Sequence, residues 1–174
     1  MIHGDIKPQN VLVFKDATGT TIKMADFGYS TLAAGETGKV LLPKSRPWNA
    51  PEHHFGEFTV GDAKKTDVYS FGMLCLWILF GDSPPGILQT TAEGTTEFIS
   101  FDAPPRFGPR TYLEQLKDDD EVEHVVSEHI ESMFGWNTKQ RTCLKEFFSF
   151  ALRRDPQKRT SDLATLIGCM SQKR

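Results

Sequence analysis

His3-Gly4-Asp5-Ile6-Lys7-Pro8-Gln9-Asn10 sets a carboxylate, an ammonium and an amide side by side in one tight segment ahead of a β-prone run. Each is ordinary in a turn, where Asp and Asn bond to nearby backbone. The reading changes further along, at Asp26-Phe27-Gly28. Between the two segments, Asn10 to Val13 and Thr20 to Met24 are β-prone and flank Lys15-Asp16-Ala17-Thr18-Gly19, a polar turn ending in glycine. That pattern predicts a small hairpin. An amide and a carboxylate at the ends of paired strands can converge on one hard cation, which prefers oxygen donors.

Beyond the hairpin, residues 26 to 49 show neither helical nor strand period, and an irregular stretch of this length is often functional. After Asp67 the pattern turns helical. The uncharged run from Val68 to Phe80 is apolar nearly all round, as in a buried helix. Residues 81 to 110, with Pro84-Pro85, Pro104-Pro105 and Pro109, give no regular element. Three amphipathic helices follow: Val122, Val125, Val126, Ile130 and Met133 share a face, as do Leu144, Phe147, Phe148, Ala151 and Leu152, and then Leu163, Leu166, Ile167 and Met170. Pro156 separates the last two, Thr160 or Ser161 is placed to cap the third, and Asp118 to Glu121 favour the N-terminus of the first. The fold class is α+β, mainly α: a short β hairpin followed by a helical bundle.

Composition narrows the trade. The chain has 174 residues, enough for one domain, and 20 Lys+Arg against 23 Asp+Glu leave a net charge of −3. No broad basic surface for nucleic acid follows from that balance. The run from Val68 to Phe80 falls short of the roughly 20 residues a bilayer-spanning helix needs, and the first residues lack the basic-then-apolar order of a signal peptide. Cys75, Cys143 and Cys169 form no C-x-x-C pair, and no two histidines stand four apart as in H-E-x-x-H. The expectation is an intracellular protein, cytoplasmic or nuclear, with no nucleic-acid or membrane partner.

In order along the chain, His3 to Asn10, Asp26-Phe27-Gly28 and Ala50-Pro51-Glu52 resemble the H-R-D-L-x-x-x-N catalytic loop, the D-F-G and the A-P-E of the eukaryotic protein kinase catalytic domain. Asp67-Val68-Tyr69-Ser70-Phe71-Gly72 looks like the start of the family's central buried helix, and Arg159, after Asp155-Pro156, resembles the arginine that pairs with the A-P-E glutamate. The resemblance covers residues 1–174 and implies the family's large C-terminal lobe, with a catalytic loop at 3–10, an activation segment at 26–52 and a helical body at 64–170. It implies ATP and Mg²⁺ as cofactors, and a protein substrate offering a serine or threonine hydroxyl, since a lysine two places after the aspartate resembles the serine/threonine branch.

By that resemblance Asp5 orients the acceptor hydroxyl and takes its proton, and Lys7 offsets charge on the moving phosphoryl group. Asn10 and Asp26 hold Mg²⁺, and Leu12 forms the apolar floor beneath adenine. His3 and Phe27, with Gly28 beside them, pack in a buried column on the helix at Asp67, and Glu52 pairs with Arg159.

Three departures stand out. Gly4 replaces the arginine that docks an activation-loop phosphate in most of the family, so loop phosphorylation has no cation to order it. The resulting H-G-D also occurs in aminoglycoside and choline kinases, which generally lack the D-F-G and A-P-E present here. Ser45 and Trp48 stand in the register of the threonine and aromatic that precede A-P-E, with the Ser45 hydroxyl placed to bridge Asp5 and Lys7. Met1 stands just ahead of His3, so the small N-terminal lobe, with its G-x-G-x-x-G loop and V-A-I-K lysine, is expected to be absent and the isolated chain to catalyse weakly. The alternative reading is a pseudokinase-like module that binds protein partners through its helical face.

Overall fold

Asp16 turns the chain back on itself. Its Oδ1 accepts from Thr18 N, Thr18 Oγ1 and Gly19 N at 2.7, 2.5 and 3.2 Å, so one carboxylate oxygen holds the whole turn. The computed structural model describes residues 1–30, 38–55, 57–81, 88–90, 96–98, 112–160 and 162–171. Within it, β1 (Val11–Asp16) and β2 (Gly19–Met24) pair antiparallel with Val13 opposite Ile22 and Val11 opposite Met24. A second ribbon joins β3 (Val40–Leu41) to β4 (Glu57–Phe58). It fixes both ends of a loop that takes in only the last part, from residue 42 on, of the stretch read from sequence as irregular. A third pairs β5 (Leu88–Thr90) with β6 (Thr96–Phe98), regular structure inside a segment that gave none from sequence.

The helix α1 runs Val60–Phe80, beginning one turn and more ahead of Asp67. Thr59 sets that start: its side chain accepts from Asp62 N and its hydroxyl donates to the Asp62 carboxylate at 2.7 Å. The helix is not apolar all round in its surroundings, since Ile78 near its end is 63% exposed. Then come α2 (Tyr112–Asp119), which the sequence reading missed, α3 (Val122–Ser132), α4 (Thr138–Ala151) and α5 (Leu163–Ser171).

Caps explain the breaks. Asn137 and Gln140 form a reciprocal capping box at α4, and Asp155 accepts from Gln157 N where Pro156 starts a single 3-10 turn. At α5 the cap is Asp162, whose Oδ1 accepts from Ala164 N at 2.9 Å, while Thr160 bonds to Asp162 N instead. Ser161 lies outside the described residues. Asp118 and Asp119 close α2 rather than open α3, and Glu121 at the α3 N-cap makes no side-chain cap. Asp120 takes φ 65° there and accepts from Arg154 N at 3.1 Å, tying this corner to the chain after α4.

The main core gathers Val68, Tyr69, Met73, Leu76 and Phe80 of α1 against Leu113 and Leu116 of α2, Val122, Val126 and Ile130 of α3, Phe147 and Phe148 of α4, and Leu166 of α5. Each such side chain, buried from water, contributes roughly 1.5–3 kcal/mol before chain entropy is set against it. Contact between α1 and α4 is close because Gly72 has no side chain: a Cβ there would meet Ala151 Cβ and Leu152 Cδ2, both at 2.8 Å. Among the described residues, no helix is long and apolar enough to cross a membrane.

Candidate active site

Pro8 starts a short 3-10 turn over Pro8–Asn10, its missing N–H costing nothing at that position. The turn folds Asn10 back under the loop, where Asn10 Nδ2 donates to Asp5 O at 2.8 Å and to Asp5 Oδ2 at 3.3 Å. Lys7 reaches the same oxygen from the other side, Nζ to Oδ2 2.7 Å, and donates to Ser45 Oγ at 3.1 Å. The Lys7 ammonium, rather than the Ser45 hydroxyl, is thus the bridge. Asp5 is 6% exposed, and its second oxygen, Oδ1, has no partner among the described residues.

The loop hangs from α1. The carboxylate of Asp67 accepts from His3 N at 2.6 Å and Gly4 N at 2.9 Å. Burial raises the Asp67 pKa, and the two backbone donors oppose that rise. His3 is buried, with Nδ1 accepting from Asp5 N at 3.3 Å and Nε2 against Ala25 O at 3.1 Å. Both ring nitrogens are engaged by backbone, which leaves His3 none with which to take a proton from a substrate. Phe27 lies 5.1 Å from the His3 ring but is 48% exposed, so it covers the histidine without being covered itself.

Gly4 carries φ +82°, in the left-handed region that favours glycine, and a Cβ there would stand 3.0 Å from Leu42 Cδ2 and 3.2 Å from Tyr29 O. The space beside it is filled by residues of the 26–52 segment. Thr31 and Thr37, hydroxyls of that segment, lie outside the described residues.

Ala25 N donates to Asn10 O at 2.9 Å, carrying the β1–β2 pairing to its last rung, and Asp26 follows at once. Asp26 is exposed, at φ 59°, its Oδ1 accepting from Gly28 N at 3.3 Å. The amide nitrogen of Asn10 is committed to Asp5, so the atom it offers a cation is its carbonyl oxygen. An amide oxygen and a carboxylate suit a hard ion such as Mg²⁺, which keeps waters and takes further ligands from phosphates. No group of three or more His, Cys, Asp or Glu that could hold a metal occurs among the described residues. The donor set therefore fits a magnesium ion shared with a nucleotide better than a metal held by protein alone. Leu12, next along β1, is 43% exposed and faces outward on the ribbon.

Away from the loop, Arg159 donates to both carboxylate oxygens of Glu52, at 2.5 and 2.7 Å. It also donates to Lys65 O at 3.2 Å, Arg154 O at 2.7 Å and Arg153 O. Two histidines elsewhere are packed: His53 is buried against Ala50 O and the Phe58 ring, and His129 sits edge-on to Phe80. Lys117 of α2 was not foreseen; it is buried, and its Nζ donates to Pro47 O and Asn49 O, both at 2.6 Å. Leu113, Leu116 and Lys117 fall on one helical face, which carries the lysine inward with the two leucines.

A family model described as "Protein kinase domain" matches residues 1–167. Among curated proteins, the chain is 31% identical over 116 residues to the serine/threonine-protein kinase CHK1 of Saccharomyces cerevisiae, covering 64% of this chain and 21% of that protein. It is 42% identical over 94 residues to a probable leucine-rich repeat receptor-like protein kinase of Arabidopsis thaliana, covering 54% of this chain and 12% of that protein. To the serine/threonine-protein kinase pkn2 of Myxococcus xanthus it is 34% identical over 86 residues, covering 48% and 10%. The chain thus spans about a fifth or less of these relatives' lengths.

Proposed function

The chain belongs to the protein kinase domain family, and from that premise we propose that it serves phosphoryl transfer from ATP to serine or threonine hydroxyls of protein substrates, with Asp5 as the group that meets the acceptor. The observation that carries this reading is the split environment of one carboxylate. Oδ2 of Asp5 is held by Lys7 and Asn10, while the buried Oδ1 has no partner among the described residues. An orphaned buried acceptor costs stability unless something completes it, and a hydroxyl donor does so.

Magnesium-bound ATP supplies the phosphoryl group and the charge-neutralising cation. The protein supplies placement and electrostatics, the larger part of catalysis in this reaction class. Asp5 Oδ1 would accept the hydrogen bond of the incoming hydroxyl, aim its oxygen and receive its proton as the new bond to the γ-phosphorus forms and the bond from that phosphorus to the departing ADP oxygen breaks. The Lys7 ammonium, shared between Asp5 and Ser45, places positive charge beside the acceptor. Asn10 through its carbonyl and Asp26 through its carboxylate would hold the Mg²⁺, and Leu12 offers an apolar surface to the base.

The test uses this chain joined behind a kinase small lobe, so that the nucleotide is held from both sides. Transfer of labelled phosphate to serine- and threonine-containing peptides is compared with the Asp5→Asn variant of the same fold. A loss of about 10²- to 10⁴-fold is expected. Equal rates in both proteins would overturn the assignment. A second reading, a weakly catalytic module that binds protein partners, draws on the β1–β2 ribbon, where Val13 is 58%, Phe14 49% and Ile22 66% exposed. It predicts no transfer in either protein and retained partner binding in Asp5→Asn.

A further inference from the structure

The 45–49 turn lies between two lysines. On one side the Ser45 hydroxyl accepts from Lys7 Nζ at 3.1 Å. On the other, Lys117 Nζ donates to Pro47 O and Asn49 O. Within the turn, Trp48 N and Asn49 N both donate to Ser45 O, at 2.9 and 3.0 Å, so Ser45 cannot shift without moving Trp48 and Asn49. A second link joins the same elements, Arg46 Nε to Glu114 Oε1 at 3.3 Å, and Glu114 lies one turn before Lys117 on α2.

A buried ammonium is costly, and a lysine is retained in such a place only where its donors are used. Here burial pulls the Lys117 pKa down to about 7, against the raising effect of Glu114, Asp118 and Glu52 and with the lowering effect of Arg46. The Tyr69 ring lies 5.4 Å from Nζ on the α1 side, and His53 feels the lysine's charge. Protonated or neutral, the amine has at least two N–H donors for the two carbonyls, so the clamp does not depend on its charge.

We propose that Lys117 is a positioning residue for the acceptor site: by gripping the Pro47 and Asn49 carbonyls it fixes the turn that presents the Ser45 hydroxyl to Lys7. The proposal rests on the reading of Asp5 and Lys7 above, and it places a residue of the helical body two hydrogen-bonded links from the proposed chemistry. Without those donors the carbonyls lose their partners, the turn relaxes, and Lys7 keeps Asp5 as its one fixed acceptor.

Trace acetylation of lysines in the full chain, read by mass spectrometry, reports on Lys7 directly and needs no phosphoryl transfer. Lys117→Met and Ser45→Ala should each raise labelling at Lys7 by about threefold to tenfold, the equilibrium effect of one hydrogen bond. The double variant should go no further than the larger single effect, because both changes break the same chain of contacts. Unchanged labelling in a folded Lys117→Met, or effects that multiply in the double variant, would overturn the proposal. Should Lys117→Met not fold, the coupling is read from its other end, since linkage is reciprocal. Ser45→Ala should then move the Nζ resonance of Lys117 in ¹⁵N-lysine-labelled protein, and an unmoved resonance sinks the idea. A chain that acetylates as expected yet transfers no phosphate would count against the catalytic reading alone.

Discussion

Arg159 grips Glu52 through two parallel hydrogen bonds although the two residues stand 107 positions apart. The arginine side chain is 0% exposed and the carboxylate side chain 10%. Arg159 is also held by the nearby carbonyls of Arg153 and Arg154, so the pair fastens the end of the 26–52 segment to a fixed point between α4 and α5. Truncating either residue strands a buried charge, at a cost of roughly 3–5 kcal/mol. Arg159→Ala should cost more than Glu52→Ala, because Lys65 O, Arg154 O and Arg153 O lose a donor as well. Urea unfolding of both singles and the double variant measures the coupling, and strictly additive losses would show that the bidentate contact contributes nothing.

His53 gives the fold an acid-side weakness. Burial lowers its pKa to about 4, against the opposing pull of Glu52 and of its bond to Ala50 O. An unfolded histidine titrates near 6.5, so between the two values the unfolded chain binds more protons and stability falls as pH falls. The loss should reach roughly 2–3 kcal/mol between pH 7 and pH 4 and stop growing below that for this residue. Urea midpoints followed against pH should lose this slope in His53→Gln; an unchanged slope would assign it to other groups.

Asp67→Asn should loosen the loop at residues 3–10 selectively. Both oxygens of Asp67 accept from backbone, so an amide can satisfy only one of His3 N and Gly4 N and turns a donor toward the other. A cost of about 1–3 kcal/mol is expected. Hydrogen exchange should quicken at Gly4 and Asp5 with α3 and α4 unchanged, and uniform quickening would contradict a local role.

Gly4→Ala should destabilise by about 1–2 kcal/mol from backbone strain alone, with the Leu42 contact adding to it. Because that space is filled by Leu42 and Tyr29 and holds no guanidinium, phosphatase treatment should leave any phosphoryl transfer unchanged. A large drop traced to phosphate on Ser45, or on Thr31 or Thr37, would refute this.

Much of the candidate site was legible because its residues sit close together in sequence or in recognisable order: Asp5, Lys7 and Asn10 lie in one segment just ahead of β1, and Asp26 follows just after the end of its partner strand β2. Lys117 was not, since its partners are main-chain carbonyls of Pro47 and Asn49, and carbonyls leave no signature in a sequence. The fold followed the same division. Periodicity located α3 and α4, which bury one face each, and α5, where Leu166 is buried but Ile167, expected on the same face, is 52% exposed. It missed α2, eight residues long and followed by acids that were read as belonging to the next helix. The start of α1 was set late because Val60 to Thr66 carries little apolar pattern, and the Thr59 cap decides it instead. Phe27 shows the limit of a resemblance: its contact with His3 is present, yet its outer face is open.

The tether from His3 and Gly4 to Asp67 bears on how the protein is made. A ribosome releases Asp5 long before Arg159, yet Asp5 has no fixed place until α1 exists to carry Asp67, and the segment bearing Glu52 has no anchor until the chain beyond α4 has emerged. Residues 3–10 therefore settle only after chain far beyond them has emerged.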